Sequence, residues 1–359
     1  MFANVNPRDG RISAIDLFCG AGGLSQGLLE AGIQVAAGID LDPRCKFPFE
    51  TNIGAQFLQR DVRDVTGNQL KALWAPGSVR LLAGCAPCQP FSSHRRGADT
   101  SAETAWPLLD EFGHLVRETR PEFVTMENVP RIGSTQVFKR FVETLRDSDY
   151  HVDYRVCRGP GYGLPQLRRR LVLLASRFGP IEVPKGDPAN SQMATVRDAI
   201  ADLPRLGNGQ TNPDDPLHTC RRLSDLNLQR IRASRPGGTW KDWPAELRAP
   251  CHQKASGGTF RSVYARMEWD KPAPTITTQS HNFGTGRFGH PEQDRAISLR
   301  EAAVLQGFPA RYQFVEPDAK VEFAPIGRLI GNAVPPPLAR AIGLTLMAAV
   351  ESVPLEDST

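Results

Sequence analysis

The sequence has few of the features that mark membrane, secreted or disordered chains. Its 359 residues contain no uninterrupted apolar run near the roughly 20 residues that a membrane helix needs, and its first residues lack the basic-then-apolar order of a secretion signal. Only seven residues are Cys, an odd number set mostly in apolar or motif-like surroundings, which favours reduced thiols over a disulfide framework. With 40% hydrophobic and 23% charged residues, the composition excludes disorder and fibre. We therefore expect a cytoplasmic globular protein of two domains.

Net charge is also small. It is +4 for the whole chain, too little on its own to indicate a polyanionic partner. The distribution is uneven, because residues 221–290 hold 12 Lys or Arg against 5 Asp or Glu and the rest of the chain is slightly acidic. Such a basic segment can bind phosphates, and it can equally be a solvated face.

The first half of the chain alternates short apolar runs with helical patterns, as βαβ units do. The predicted strands are 12–18, 35–40, 56–62, 80–86, 123–127, 152–157 and 171–175, and the predicted helices are 23–31, 108–118 and 135–147. We infer an α/β fold with a doubly wound, mostly parallel sheet. From about Gly179 the chain becomes rich in turn residues, which indicates a second, smaller and loop-rich domain. The apolar segment 336–353 is expected to dock back on the first domain as a helix.

A glycine-rich turn follows the first predicted strand. In Asp16–Gly23 the glycines would let the backbone pass close to a ligand at a helix N-terminus. A plain tight turn and a nicotinamide nucleotide site are the competing interpretations, although the spacing departs from G-x-G-x-x-G. Asp40 ends the second strand and could bind ribose hydroxyls, and Asp61 follows the third and could accept from an adenine amino group. Together these residues predict an adenosine-shaped pocket.

Two cysteines lie just after the fourth predicted strand. Cys88 stands between two prolines that fix the backbone, which suits a nucleophilic thiolate if a cation or a helix terminus stabilises it. Cys85 and Cys88 could instead form half of a zinc site or a redox pair. No second C-x-x-C completes a zinc site, and a polar loop rather than a helix follows Cys88. We take Cys88 as the candidate nucleophile and Cys85 as inert packing.

Charged residues end the fifth predicted strand and begin the seventh. Glu127 would face the same bound group as the Cys88 thiol, and it would serve as a proton donor or hydrogen-bond partner for a polar heterocycle. Strand alternation would put Arg168 and Arg170 on one face. Two arginines aimed at one site can hold a phosphate or a carbonyl oxygen and lower the pKa of a thiol, although surface arginines are also common.

These motifs, taken in order, resemble those of the DNA (cytosine-5) methyltransferases, in particular the prokaryotic restriction-modification type. The matching segments are Asp16–Gly23, Pro87–Gln89, Glu127–Val129, Gln166 with Arg168 and Arg170, Arg300–Pro309 and Gly331–Val334. Residues 179–287 match nothing fixed in that family, which has its variable target-recognition region there. The resemblance implies an S-adenosylmethionine-dependent methyltransferase fold. It implies a catalytic cofactor-binding domain at 1–180, completed by 322–359, and a DNA-recognition domain at 181–321.

The resemblance also implies a pocket for S-adenosylmethionine as methyl donor, with no metal. Its residues would be Asp16, Phe18, Gly20, Gly22, Gly23, Asp40, Leu41, Asp61, Pro87 and Asn332. The glycine-rich turn would line the methionine side, Asp40 the ribose, and Leu41 with Asp61 the adenine. Leu41 stands where many members have a larger aromatic ring, so stacking on adenine would be weaker here.

The implied chemistry explains the catalytic residue types. Cys88 would attack carbon 6 of cytosine, which breaks the conjugation of the ring and makes carbon 5 nucleophilic. Glu127 would bond ring nitrogen 3, Arg170 would neutralise the carbonyl oxygen, and Arg168 would support Cys88 and a nearby phosphate. Because thiol and methyl donor approach opposite ring faces, the base has to leave the duplex. Residues 92–104 suit a mobile lid over that base, and a surface loop is the plainer interpretation.

Double-stranded DNA is the partner that the resemblance implies. The expected contacts come from Gln89, Ser92, Arg95, Arg96 and Arg287. The segment 284–287 could approach a sugar-phosphate backbone, whereas Trp240, Trp243 and Trp269 are expected in the core rather than stacked on bases. We expect a prokaryotic, cytoplasmic monomer that associates with the nucleoid through DNA and has no membrane partner. A cognate restriction endonuclease could act on the same site without a stable complex.

Three alternatives stay open at this point. A tRNA cytosine-5 methyltransferase would share the same core, although the long variable region weighs against it. A thiol oxidoreductase would depend on Cys85 as much as on Cys88. A non-catalytic DNA-binding protein would have no need for Cys88, Glu127 and Arg170 together.

Overall fold

The computed structural model describes residues 12–87, 107–187, 193–253 and 263–352. The strands are β1 (Ile12–Leu17), β2 (Gln34–Asp40), β3 (Gln56–Gln59), β4 (Val79–Gly84), β5 (Phe123–Asn128), β6 (His151–Arg158), β7 (Arg169–Ser176), β8 (Thr211–Asn212) and β9 (Asp215–Thr219). The helices are α1 (Gly23–Glu30), α2 (Lys46–Ile53), α3 (Gly67–Leu73), α4 (Pro107–Thr119), α5 (Gln136–Asp147), α6 (Val196–Ile200), α7 (Asp225–Arg232), α8 (Pro250–Gln253), α9 (Leu299–Leu305), α10 (Phe323–Asn332) and α11 (Pro336–Glu351).

The chain divides into two compact units. The first holds the chain up to Arg158, Arg169–Asp187 and the chain from Val334, and the second holds Gly159–Arg168 and Pro188–Ala333. The second unit therefore also takes the connection between β6 and β7, and it extends through α10, which the sequence prediction had grouped with the catalytic domain. Which unit recognises DNA stays a prediction.

The first unit is built on a seven-stranded sheet in the order β3-β2-β1-β4-β5-β7-β6. Strands β1 to β5 pair in parallel, and β7 is antiparallel to both of its neighbours, β5 and β6. The predicted α/β class and mostly parallel sheet are thus confirmed. All seven predicted strands are present with small changes at their ends, and β3 is the most shortened, because Asp61 caps a short 3₁₀ turn instead of continuing the strand.

The strand order brings polar strand ends to one edge of the sheet. From β1 to β3 the strands are added towards one side of the sheet, and from β4 onwards they are added towards the other side. Open α/β sheets have a crevice at such a reversal, beyond the carboxyl ends of the two strands, which here are β1 and β4. Leu17 pairs with Ile39 and Gly84, and Gly84 pairs with Met126, so the residues that follow these positions lie side by side. Since β7 runs the opposite way, its first residues reach the same edge.

The core explains why these segments form strands and helices. All six residues of β1 and all six of β5 are buried, as expected for parallel strands covered on both faces. Helix α5 begins at a Thr135 cap whose hydroxyl accepts from the Phe138 amide, and it buries the predicted stripe of Phe138, Phe141, Val142 and Leu145. Each such side chain contributes about 1.5–3 kcal/mol through burial.

The segment Phe323–Glu351 is long and apolar enough, by composition, to cross a membrane. Half of its most apolar window is buried, and the chain between α10 and α11 is not helical. In the first unit α11 packs on α1 so closely that a Cβ at Gly27 would lie 2.4 Å from that of Ala339. The apolar character of α11 is therefore explained by packing, and its predicted docking on the first unit is confirmed.

The second unit has its own core and no extended sheet among its described residues. Trp240 and Trp243 are only 3% and 2% exposed and pack with Ile231 and Phe283, so the prediction that they are core residues is confirmed. For Trp269 the prediction is wrong, because this residue is only partly buried, with the Arg197 guanidinium over its ring. In the same unit, Arg295 donates to both carboxylate oxygens of Glu301 at 2.7 and 2.8 Å, and both side chains are fully buried.

Candidate active site

The turn after β1 has the shape that its glycines predict. Phe18, Gly20 and Gly22 all have positive φ angles of 59°, 54° and 87°. Gly22 caps α1, and Gly23 begins it. A left-handed conformation is unfavourable for a residue such as Phe18 and is held only where the surroundings require it, often at functional sites. The turn presents the N-terminal end of α1 at the carboxyl edge of the sheet.

Asp16, near the end of β1, is a buried carboxylate with one oxygen unsatisfied. Its side chain is 1% exposed, and Ser25 Oγ donates to Oδ2 at 2.7 Å. Oδ1 has no hydrogen-bond partner among the described residues. Burial raises the pKa of Asp16 to about 7, opposed by the Ser25 hydrogen bond and assisted by the charge of Asp40. A buried acceptor of this kind can be satisfied by a donor or a cation on a ligand.

Asp40 ends β2 and ties the glycine-rich turn to the next strand. Its Oδ2 accepts from the Gly20 amide at 2.9 Å, and its Oδ1 accepts from the Asp42 amide at 2.9 Å. Burial raises the pKa of Asp40, and these backbone donors oppose the shift. The following residue, Leu41, is 63% exposed, so an uncovered apolar side chain stands beside this carboxylate.

The Asp61 carboxylate already accepts hydrogen bonds from Arg63, which the sequence alone does not indicate. Its carboxylate accepts from Arg63 Nη2 at 2.6 Å, from Arg63 Nε at 3.0 Å and from the Arg63 amide at 3.0 Å. The hydrogen bonds from the Arg63 side chain, followed by that from its amide, lower the pKa of Asp61. A ligand amino group would therefore have to share this acceptor with Arg63.

Glu127 is the central charged residue at this edge. It is 3% exposed on β5, and its Oε1 lies 3.0 Å from Arg170 Nε on β7. Its Oε2 accepts a hydrogen bond from the Cys85 thiol at 3.2 Å, just beyond β4. The structure thus joins Glu127 to Arg170, a contact that the sequence analysis does not predict. It also corrects the interpretation of Cys85 as inert packing, because its thiol contacts a charged group.

Asn128, the last residue of β5, fixes the backbone that leads towards Cys88. Its Nδ2 donates to the Ala86 carbonyl at 2.9 Å, and its Oδ1 accepts from the Val129 amide at 2.8 Å. Pro87, the residue after Ala86, is exposed. Cys88, Gln89, Ser92, Arg95, Arg96 and the predicted lid 92–104 lie outside the described residues, so their roles stay predictions.

The prediction that Arg168 and Arg170 share one face of a strand is wrong. The strand β7 begins at Arg169, and Arg168 belongs to the second unit, where it is 3% exposed. Its guanidinium donates to the backbone carbonyls of Ile276, Gly331 and Ala333 at 3.1–3.2 Å. These bonds make Arg168 a structural residue of its own unit, because they connect three segments distant in the sequence.

The glycines near Arg287 pack closely against aromatic rings, and the approach of this segment to DNA stays a prediction. A Cβ at Gly284 would lie 3.0 Å from the Tyr264 ring, and one at Gly286 would lie 2.5 Å from the Phe288 ring. Arg287 itself is partly exposed and forms no ion pair within the described part of the chain. Its guanidinium therefore stays available for a contact with a phosphate.

Asn332 is the last residue of α10, in the second unit, and it is exposed. Its predicted contact with a cofactor stays a prediction. Among the described residues no group of three or more His, Cys, Asp or Glu is arranged to hold a metal ion. None of the six described cysteines is in a disulfide.

Comparisons with known proteins agree with this architecture. A family model for C-5 cytosine-specific DNA methylases matches residues 12–348. The Type II methylase M.HgiDII of Herpetosiphon aurantiacus is 48% identical over 346 residues, covering 95% of this chain and 96% of that protein. The Type II methyltransferase M1.HphI of Haemophilus parahaemolyticus is 31% identical over 336 residues, covering 92% and 85%.

Solved structures give the same fold. A DNA modification methyltransferase encoded within an E. coli prophage superposes with a TM-score of 0.71 at 23% identity, over 95% of this chain and all of that one. The Dnmt2 methyltransferase of S. pombe superposes with a TM-score of 0.63 at 16% identity, over 95% and 98%. At these identities the likeness concerns the fold alone.

Proposed function

Because the chain belongs to the C-5 cytosine-specific DNA methylase family and is a DNA (cytosine-5)-methyltransferase, we propose which substrate it takes and how its residues divide the reaction. It methylates carbon 5 of a cytosine in one specific duplex DNA sequence, as a Type II modification enzyme. The observation that carries this proposal is Glu127, a buried carboxylate between Arg170 and Cys85 at the sheet edge beside the glycine-rich turn.

Cys88 is the nucleophile of this proposal. Its thiolate attacks carbon 6 of cytosine, and the electron pair of the 5,6 double bond moves towards carbon 5. Methylation at carbon 5, loss of the carbon 5 proton and elimination of Cys88 then restore the aromatic ring. The Asn128 side chain supports this role, since its bond to the Ala86 carbonyl anchors the chain two residues before Cys88.

Glu127 and Arg170 stabilise the charge that enters the ring. Glu127 holds a proton at ring nitrogen 3, where negative charge accumulates during the attack. Arg170 fixes the Glu127 carboxylate from one side and offers its cation to the carbonyl oxygen at carbon 2. Both groups are largely buried, so their electrostatic effect is weakly screened by water.

The residues around the turn fit S-adenosylmethionine. When bound, it supplies a methyl group carried on a sulfonium. The unsatisfied Oδ1 of Asp16 suits a cationic amino group, and the N-terminal end of α1 suits a carboxylate. Asp40 holds ribose hydroxyls, and exposed Leu41 covers the adenine with Asp61 beside it. Phe18, Gly20, Gly22 and Gly23 shape the turn, and Pro87 borders it.

The second unit supplies DNA recognition in this proposal. Residues 221–290, with a large excess of basic over acidic side chains, lie within it, and Arg287 contacts the phosphate backbone. The protein acts as a monomer in the bacterial cytoplasm on nucleoid DNA. The Type II names of its relatives support a cognate endonuclease that cuts the same unmethylated sequence.

Methyl incorporation tests the substrate. Purified protein is given labelled S-adenosylmethionine with a genomic DNA library or with bulk tRNA, and bisulfite sequencing then maps the product. We expect 5-methylcytosine at one short DNA sequence and none in tRNA. Methylation of tRNA alone would favour the RNA enzyme instead.

A substitution at the nucleophile tests the mechanism. Cys88→Ala is expected to abolish methyl transfer while binding of S-adenosylmethionine, measured by calorimetry, survives. Turnover by purified Cys88→Ala would contradict the covalent mechanism, and loss of cofactor binding would point to misfolding rather than to lost chemistry.

A further inference from the structure

The Glu127 carboxylate is held from both sides of its own strand. In the sheet β5 lies between β4 and β7, and each neighbour leads to one residue that contacts the carboxylate. Arg170 of β7 reaches Oε1 at 3.0 Å, and Cys85, the residue after β4, reaches Oε2 at 3.2 Å. Gly84 pairs with Met126, so the register itself brings Cys85 next to Glu127. The contact is thus a consequence of the sheet and not of a chance side-chain rotation.

A carboxylate held only by an ion pair can turn about its last bond. Arg170 makes such an ion pair with Oε1, which has no hydrogen-bond partner among the described residues, and Glu127 is only 3% exposed. The Cys85 thiol is a weak donor, but a hydrogen bond to an ionised group is about twice as strong as one between neutral groups. The ion pair at one oxygen and the hydrogen bond at the other together fix the plane of the carboxylate, and orientation of this kind governs how well a group contacts a reacting base.

We propose that Cys85 is a positioning residue, whose thiol orients the Glu127 carboxylate for its contact with the cytosine ring. This inference rests on the proposed role of Glu127. Cys85 contacts no reacting atom in this account, and it acts through Glu127 alone. The proposal differs from inert packing, for which only the volume of the side chain would matter, and from a redox role, for which the sulfur would be indispensable.

Two substitutions separate these possibilities. Cys85→Ala removes the donor, whereas Cys85→Ser keeps a donor in a side chain of similar size. We expect Cys85→Ala to slow single-turnover methylation about 10-fold or more, the loss expected when a hydrogen bond to a charged group is removed. Cys85→Ser should stay within about 3-fold of the wild type, because a hydroxyl can make the same hydrogen bond. The dissociation constants for S-adenosylmethionine and DNA should stay within about 2-fold, since the thiol serves the reaction step rather than binding.

A double-mutant cycle shows whether the effect passes through Glu127. In a Glu127→Gln background the carboxylate is gone, so Cys85→Ala should change the remaining rate by less than about 2-fold. Cys45→Ala serves as a matched control, because Cys45 is another buried thiol of the first unit, at 2% exposure, outside the proposed machinery. Its rate should equal that of the wild type, and thermal unfolding of each variant reports any loss of stability.

Three results would overturn the inference while leaving the proposed function intact. They are wild-type rates for Cys85→Ala, equal damage from Ser and Ala at position 85, and an undiminished Cys85→Ala effect in the Glu127→Gln background. If Glu127→Gln itself leaves the rate unchanged, the proposed role of Glu127 fails instead. The two failures are therefore distinguishable in one set of proteins.

Discussion

Replacing Asp16 by Asn tests the buried carboxylate in the cofactor turn. Burial raises the pKa of Asp16 from its ordinary 3.8 to about 7, so between these pH values the folded chain keeps a proton that the unfolded chain loses. Roughly three pH units at about 1.4 kcal/mol each amount to about 4 kcal/mol. The sign follows from the raised pKa: the stabilising contribution is complete below about pH 4 and is lost as the pH rises through 7.

Urea denaturation of the wild type and of Asp16→Asn between pH 4 and pH 8 measures this contribution. Asn cannot ionise, so the difference between the two free energies of unfolding isolates Asp16 from every other titrating group. We expect the variant to gain about 4 kcal/mol relative to the wild type across this range and to gain nothing more above about pH 8. Ser25→Ala, which removes the donor to Oδ2, should retain the pH dependence. A difference that stays flat with pH would refute the reasoning.

Three further predictions concern the chemistry, the ion pair and DNA binding. Glu127→Gln should slow single-turnover methylation by about 10² to 10⁴-fold, as for a lost general acid, with unchanged affinity for DNA, and an unaltered rate would exclude that role. Arg170→Met leaves the Glu127 charge buried, so urea denaturation should show a loss of about 3–5 kcal/mol, and a loss below about 1 kcal/mol would argue against the pair. Arg287→Ala should lower the slope of log Kd against log salt by about 1 on any DNA sequence in a fluorescence titration, and an unchanged slope would remove Arg287 from the phosphate contacts.

The sheet of the first unit could be predicted because its strands are buried on both faces. Residues 171–175 of β7 are a continuous apolar run in which every residue is buried, and the stripe of α5 repeats at helical spacing. Helix α2 gave no such signal. It contains Pro48 and has no apolar stripe, and its burial depends on Phe49 filling the space that Gly38 leaves open. Tertiary packing of this kind is not visible in a short window of sequence.

The candidate site likewise has features that the sequence predicts and features that it does not. The meeting of Glu127 with Arg170 follows from strand order, and motif order pointed to both residues. The predicted position of Arg168 is wrong, because the strand begins one residue later than the alternation assumes and the partners Ile276 and Gly331 lie more than 100 residues away. The contact of the Cys85 thiol with Glu127 could not be predicted for a similar reason. Only the register between β4 and β5 brings it to Glu127, and a sequence does not state a register.

Trapping with a fluorinated substrate tests the central claim, a covalent bond between Cys88 and the target base. Duplex DNA with 5-fluorocytosine at the methylated position is incubated with the protein and S-adenosylmethionine, and the products are digested for peptide mass spectrometry. Because fluorine cannot leave as the carbon 5 proton does, the account predicts an irreversible protein–DNA complex linked through Cys88. Release of free protein, or a link at any other residue, from enzyme that methylates ordinary DNA would contradict it.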